Sequence, residues 1–394
     1  MNEIITERPN LFEPNVYITM YVELRGRIDP HELTAAVYEA YNANEATVSK
    51  VVLEKGKAYY DRLPVTGCKV SITDKNLLTL IKENEIFPFA IDKGELVRTF
   101  IIPTETNTLI MIMAHHLVGD GKSIIYFIKD IMFALSKTPL TYKPLTLLTK
   151  NNLSETRLSV PAKLYTRYCK RKWNNRYFDW QDYYRLHNKY WNTVSSDIRY
   201  ETLSQTETKE IIEKAKQIGC SVNSYIVTWF LQKYEKRCEV GIPVSIRKSG
   251  NEAMSNLTSG VSIKYKFNTK KTFAENALIV HRKIKKKLLK NRLFVLKFLS
   301  ELPATLIDAV LLNTYDCYFN GLARKTAKIM EYRGKTRDIG VTNLTKIDIP
   351  AVYGSYKINN VIFVPPAVSY SRNIIGVSTF DERMTFSFHN VNYL

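Results

Sequence analysis

Twice along the chain, β-branched and aromatic-rich stretches alternate with helical periodicities, and the two alternating halves are separated by a segment of a different character. Residues 16–24 (VYITMYVEL) have the composition of a strand. After Gly26, the pair Asp29-Pro30 opens a helix running to about residue 41, because Asp caps a helix well and Pro suits the first helical position. Short strands are predicted at 50–53 and 57–60, and two buried strands at 96–102 and 108–114. Ile124, Ile125, Phe127, Ile128, Ile131, Met132 and Leu135 recur at helical spacing, which predicts a helix over 122–136. The second half carries predicted helices at 207–218 and 221–234, split by Gly219. Strands at 239–246 and 260–267, a long basic helix over 273–298, and strands at 357–364, 374–379 and 385–388 follow. This alternation predicts an α/β architecture of sandwich-like units. No short tandem repeat of the solenoid kind is present.

Between the halves, residues 151–200 are dense in Arg, Lys, Tyr and Trp, with few acids before Asp179, and read as a partly helical crossing segment. The expected organisation is therefore 1–150, a crossing segment 151–200, and 201–394. A length of 394 residues fits two units of similar size better than one core. Five scattered cysteines, odd in number and without CxxC spacing, suit a reducing compartment. The first ten residues lack the pattern of a signal peptide. The longest apolar run, 298–312, is broken by Glu301, Pro303 and Asp308. A cytoplasmic protein is expected.

The sharpest chemical signal is His115-His116-Leu117-Val118-Gly119-Asp120-Gly121, set between a predicted strand and a predicted helix. A loop on such an edge exposes a reactive side chain while holding it in place. Histidine takes up and returns a proton near neutral pH. Asp120 is close enough to brace the loop through a buried ion pair, and Gly119 and Gly121 clear space for substrate or backbone.

This HHxxxDG segment resembles the signature of the chloramphenicol-acetyltransferase-like superfamily, which includes peptide-synthetase condensation domains, wax ester synthases and alcohol acetyltransferases. Lys122-Ser123 beyond it is similar to the DGxS of condensation domains. Residues 27–33 (RIDPHEL) look like the family's opening strand-to-helix turn, and 215–223 (AKQIGCSVN) like the usual start of its second half. Residues 242–247 (IPVSIR), with Gly250-Asn251, resemble its VPVxxR strand and loop. Residues 341–350 (VTNLTKIDIP) are similar to the SNLGxxxxP segment, with Thr342 and Thr345 replacing its serine and glycine. The DFGWG segment of plant members is absent.

The resemblance implies two acetyltransferase-like αβ sandwich subdomains in a pseudo-dimer around a central channel. An acyl thioester would enter from one side and an acceptor from the other. His116 would act as general base toward the acceptor's hydroxyl or amine, with His115 and Gly121 completing the motif. Asp120 would shape the loop, paired with Arg247 by its match to VPVxxR. Asn343, Ser378 and Thr379 are candidate oxyanion or acceptor contacts. No metal, no permanently bound cofactor and no covalent acyl-enzyme are implied.

The expected activity is acyl transfer from a thioester, acyl-CoA first, to a small alcohol or amine. Alternatives are a stand-alone condensation enzyme using a phosphopantetheinyl carrier-bound acyl group, and a non-catalytic condensation-like binding module. His31, His187, His281 and His389 lack ligand spacing and read as packing or surface residues. The charge of +19 favours an anionic partner. Basic stretches at 170–173 and 282–290 suit an acidic carrier protein, the phosphates of coenzyme A, an anionic membrane surface, or simply solvent. Nucleic acid ranks low, because no reader motif accompanies the charge.

Overall fold

Residues 16–25 fold as the strand Tyr17–Arg25, whose register partners lie on both sides: Asn107–His115 on one edge and Tyr356–Val364 on the other, all antiparallel. The protein is described here from a computed structural model covering residues 1–334 and 336–394. Within those residues the first large sheet runs, edge to edge, Val352–Tyr353, Tyr356–Val364, Tyr17–Arg25, Asn107–His115, Val97–Pro103, Lys69–Ile72. The second runs Thr258–Tyr265, Cys238–Ser245, Ile339–Lys346, Asn373–Phe380, Arg383–Tyr393, Val194–Thr202. Ser49–Glu54, Lys57–Arg62 and Asn2–Glu3 make a small third sheet. The class is α/β.

Helices cover the sheets because their apolar stripes demand it. Gly121–Leu135 buries Ile124, Phe127, Ile128, Ile131 and Leu135, and Phe127 stacks on Tyr41 of the Pro30–Ala43 helix at 5.2 Å between ring centroids. Each such side chain contributes roughly 1.5–3 kcal/mol by leaving water. A second core, with Ile226, Phe230, Val240, Val377 and Phe386, lies against the second sheet. Asp29 caps Pro30–Ala43 as its sequence position predicts, accepting from the His31 N–H.

Three expectations need correction. The basic helix expected over 273–298 breaks into Phe273–Asn291 and Phe294–Ser300. At the break, the Arg292 carbonyl accepts from Ser259 Oγ at 2.5 Å and its guanidinium donates to the Ser245 carbonyl at 2.6 Å, so tertiary bonds hold the junction. The strand expected at 385–388 extends over Arg383–Tyr393, because Val194–Thr202 pairs along its whole length. The sheets also cross the expected boundaries: Val194–Thr202 belongs to the second sheet, and Tyr356–Val364 returns from the C-terminal half into the first.

The interior is unusually rich in ionisable groups. Burial pushes the Glu7 and Glu13 carboxyls up to about 7 and Glu85 up to about 8. Burial also drives His115 and His187 down to about 3 and His389 down to about 4. These carboxyls hold protons in the folded chain from their ordinary 4.5 up to about 7, so their contribution to stability declines as pH rises through that window. The histidines do the reverse, costing stability as pH falls below their ordinary 6.5. Between 4.5 and 6.5 the two slopes oppose each other. The melting temperature should therefore pass through a broad maximum in that window and fall on both sides. A monotonic rise from about pH 5 to about pH 8 in a thermal-melt series would contradict this assignment.

Candidate active site

The strand Asn107–His115 ends at the motif, and its last peptide groups are held from both flanks. The His115 N–H donates to the Leu96 carbonyl at 2.9 Å and the His116 N–H to the Val16 carbonyl at 3.1 Å. Strand alternation then sends the two imidazoles in opposite directions. His115 is fully buried, its ring beside Tyr17 and Phe89 and its Nδ1 accepting from the Leu117 N–H at 3.2 Å. The expectation that His115 shares the reactive site is corrected here: it does not line the cavity and serves the core.

His116 is half-buried and lines a cavity of about 770 Å³. The walls come from both large sheets, including Ile18 and Phe363 from the first and Ile242, Thr342 and Asn343 from the second. Its Nδ1 is buried, which leaves Nε2 as the nitrogen available to the cavity. Burial holds the His116 pKa below its ordinary 6.5, opposed by the nearby Asp120 charge and by backbone groups of His116 and Gly119. The ring is thus neutral at physiological pH, the state a general base requires.

Asp120 faces away from the imidazole's task. Its Oδ1 accepts from the Ser123 N–H at 3.0 Å, capping the Gly121–Leu135 helix, and from Arg247 Nη2 at 3.1 Å. Its Oδ2 accepts from the Leu257 N–H at 3.0 Å and the Thr258 hydroxyl at 3.2 Å. Arg247 also donates to Ser123 Oγ at 2.7 Å and to the carbonyls of Ser255 at 2.7 Å and Ala253 at 2.8 Å. The carboxylate of the first half is therefore tied to the second half at both oxygens. Gly119 is required by this knot, since a Cβ there would stand 2.5 Å from the Ser123 Cβ.

Of the remaining predicted positions, Gly121 and Asn343 line the cavity. Asn343 Oδ1 accepts from the Thr345 N–H at 2.7 Å, so its amide group is the part with hydrogen bonds to spare. Ser378 and Thr379 do not line it: Ser378 is buried on the adjacent strand, and the Thr379 carbonyl pairs with the Ile347 N–H. Those two expectations are corrected. Sequence reasoning missed Asn256 and Arg337. Arg337 lies against Tyr370, with its Nε donating to Glu331 at 3.0 Å inside the cavity wall. Among the described residues, no cluster of three or more His, Cys, Asp or Glu side chains could hold a metal ion.

No protein-family profile matches the sequence, and no curated protein matches it. Solved structures do. The first condensation domain of the CDA synthetase is similar with a TM-score of 0.65 at 12% identity, over 99% of this chain and 90% of that one. The fold is that of a condensation domain. Polyketide synthase associated protein 5 from Mycobacterium tuberculosis is similar with a TM-score of 0.64 at 12% identity, covering 98% of this chain and 94% of that one. The starter condensation domain of rhizomide synthetase RzmA, a mutant in complex with C8-CoA, has a TM-score of 0.58 at 10% identity over 96% and 84% of the two chains. At such identities the condensation-domain fold is what is shared, and the chemistry must be argued from this chain's own side chains.

Among the described non-glycine residues with positive φ, Thr345 is the β-branched one. Thr345 adopts φ +63° at the irregularity in the Ile339–Lys346 strand, a left-handed conformation that a β-branched residue enters at a cost. Thr345→Gly should raise stability by about 1 kcal/mol, read as an upward shift in melting temperature. Arg247→Ala should do the opposite, destabilising by roughly 3–5 kcal/mol because it strands the Asp120 charge in the interior. An Arg247→Ala melting temperature equal to wild type would refute the role given to the ion pair.

Proposed function

We propose that the protein is an acyltransferase that moves an acyl group from acyl-CoA to an alcohol or amine, with His116 as general base. The observation that carries this reading is a neutral, half-buried imidazole on the wall of a cavity built by both sheets, on a loop fixed by Asp120 and Arg247. A thioester carbonyl beside His116 meets the acceptor there. Nε2 removes the acceptor's O–H or N–H proton as the oxygen or nitrogen bonds to the carbonyl carbon. The C–S bond then breaks, and the imidazolium returns its proton to the departing thiolate. Asn343 is the side-chain donor for the carbonyl oxygen, since its amide group is uncommitted and lines the same cavity. Asp120 takes no proton in this scheme, as both its oxygens are engaged in holding the loop.

The choice of acyl-CoA over a carrier-bound donor draws on the RzmA neighbour, whose structure contains C8-CoA; the excess of cations suits either donor. The test is release of free thiol from a panel of acyl-CoAs in the presence of candidate alcohols and amines, with products identified by mass. His116→Ala should lower turnover by about 10²–10⁴-fold while leaving the melting temperature near wild type. Because the His116 pKa is depressed, the acid limb of the rate profile should lie below pH 6.5. Turnover by His116→Ala equal to wild type would remove the proposal's basis.

A further inference from the structure

The helix Val160–Lys172 forms part of the cavity wall, and three arcs follow one another around it. Pro161, Ala162 and Tyr165 line the cavity. Beside them, Val160, Leu164 and Tyr168 recur at four-residue spacing and point to solvent, 72%, 59% and 44% exposed. Next to that stripe come Lys163, Arg167 and Arg171, also at four-residue spacing and also exposed. Apolar residues directed at water beside a cationic stripe are the pattern of a helix that rests in a lipid interface.

The neighbouring helices repeat it. Tyr165 stacks on Phe298 at 6.5 Å between ring centroids and bonds to Thr326, which joins Val160–Lys172 to Phe294–Ser300 and Gly321–Ile329. Val295 and Ile329, on the cavity rim, are 38% and 49% exposed. None of the three helices contains an acidic residue. Arg324, Lys325 and Lys328 add to the positive face, and among the described residues they form no ion pair with a carboxylate, nor do Lys163, Arg167 and Arg171. Glu301, which follows the Phe294–Ser300 helix, and Glu331, in the cavity wall, are already paired with Lys170, Lys297 and Arg337.

We propose that this mouth docks on an anionic lipid bilayer, with Val160, Leu164 and Tyr168 entering the interface and the cations meeting lipid headgroups. The cavity then opens toward the acyl chains, which places the substrate class among membrane-partitioning acyl donors or acceptors. What passes through the mouth rests on the acyl-transfer reading; the docking itself does not. The phosphates of a free nucleotide cofactor account for a few of the cations but leave the exposed Val160–Leu164–Tyr168 stripe without a purpose. An acidic protein likewise accounts for the charge, whereas a stripe continuous with an apolar cavity favours lipid.

The test is co-sedimentation of the full chain with vesicles of equal parts phosphatidylglycerol and phosphatidylcholine, against vesicles of phosphatidylcholine alone. Binding is expected to the anionic vesicles only. Lys163→Gln, Arg167→Gln and Arg171→Gln combined should weaken it by roughly a hundredfold, from about fivefold per cation. Leu164→Glu with Val160→Glu should weaken it by about tenfold or more at an unchanged melting temperature. Lys209→Gln with Lys216→Gln, on the Gln205–Ile218 helix that does not line the cavity, should leave it unaltered. The proposal is overturned by failure to bind anionic vesicles, by equal losses in the Lys209 and Lys216 control, or by an acidic carrier protein binding where vesicles do not. Vesicle binding needs no turnover, so a negative result here leaves acyl transfer standing, and an inactive protein that binds vesicles leaves the docking standing.

Discussion

Both oxygens of the Asp120 carboxylate are spoken for, and the partners come from opposite halves of the chain. One oxygen caps the helix that follows the motif and meets Arg247; the other holds the Leu257 N–H and the Thr258 hydroxyl. Taking both charges out of water costs several kcal/mol per ion, and the pair is tolerable only because nearly every lone pair and proton finds a partner. The planar guanidinium makes that possible, since it reaches Asp120, Ser123 and three backbone carbonyls at once, where an ammonium has a compact charge and three donors. The position of His116 is a by-product of this arrangement: the loop that presents it has nowhere else to go.

The parts legible in the sequence were those governed by local pattern. Strand and helix periodicity located most elements, and Asp29-Pro30 announced its helix by capping chemistry, whereas the cap that Asp120 forms came only with the structure. The motif pointed to His116, and the match of Arg247 to a second motif joined it to Asp120, 127 positions away. What was hidden depended on distant partners. The Arg383–Tyr393 strand follows a turn in which Asp381 and Glu382 both have positive φ, a tight hairpin without the Asn-Gly or Asp-Gly sequence that usually signals one. The break after Asn291 is held by Ser245 and Ser259, residues whose proximity no local pattern reveals. Ser378 and Thr379 failed as cavity residues because the register of their strand beside Ile339–Lys346, which brings Ile374 to the cavity wall instead, was not readable from composition.

Charge reads differently at the two scales. As a total, +19 favours an anionic partner and goes no further. As a distribution, it becomes more specific: on Val160–Lys172 a cationic stripe and three exposed apolar side chains adjoin the cavity, while on Phe273–Asn291 Arg282, Lys285, Lys286 and Lys290 surround the exposed Leu289 away from the cavity. No helix among the described residues is long and apolar enough to cross a membrane.

The return of Tyr356–Val364 into the first sheet has a wider meaning for how the molecule can move. That strand lies between Tyr17–Arg25 and the short Val352–Tyr353 edge, hydrogen-bonded to residues more than three hundred positions away in the chain. The first lobe is incomplete without this strand from the C-terminal half, so the two are laced together and cannot drift apart as beads on a string would. Separating the lobes would require breaking the antiparallel ladder between Tyr356–Val364 and Tyr17–Arg25.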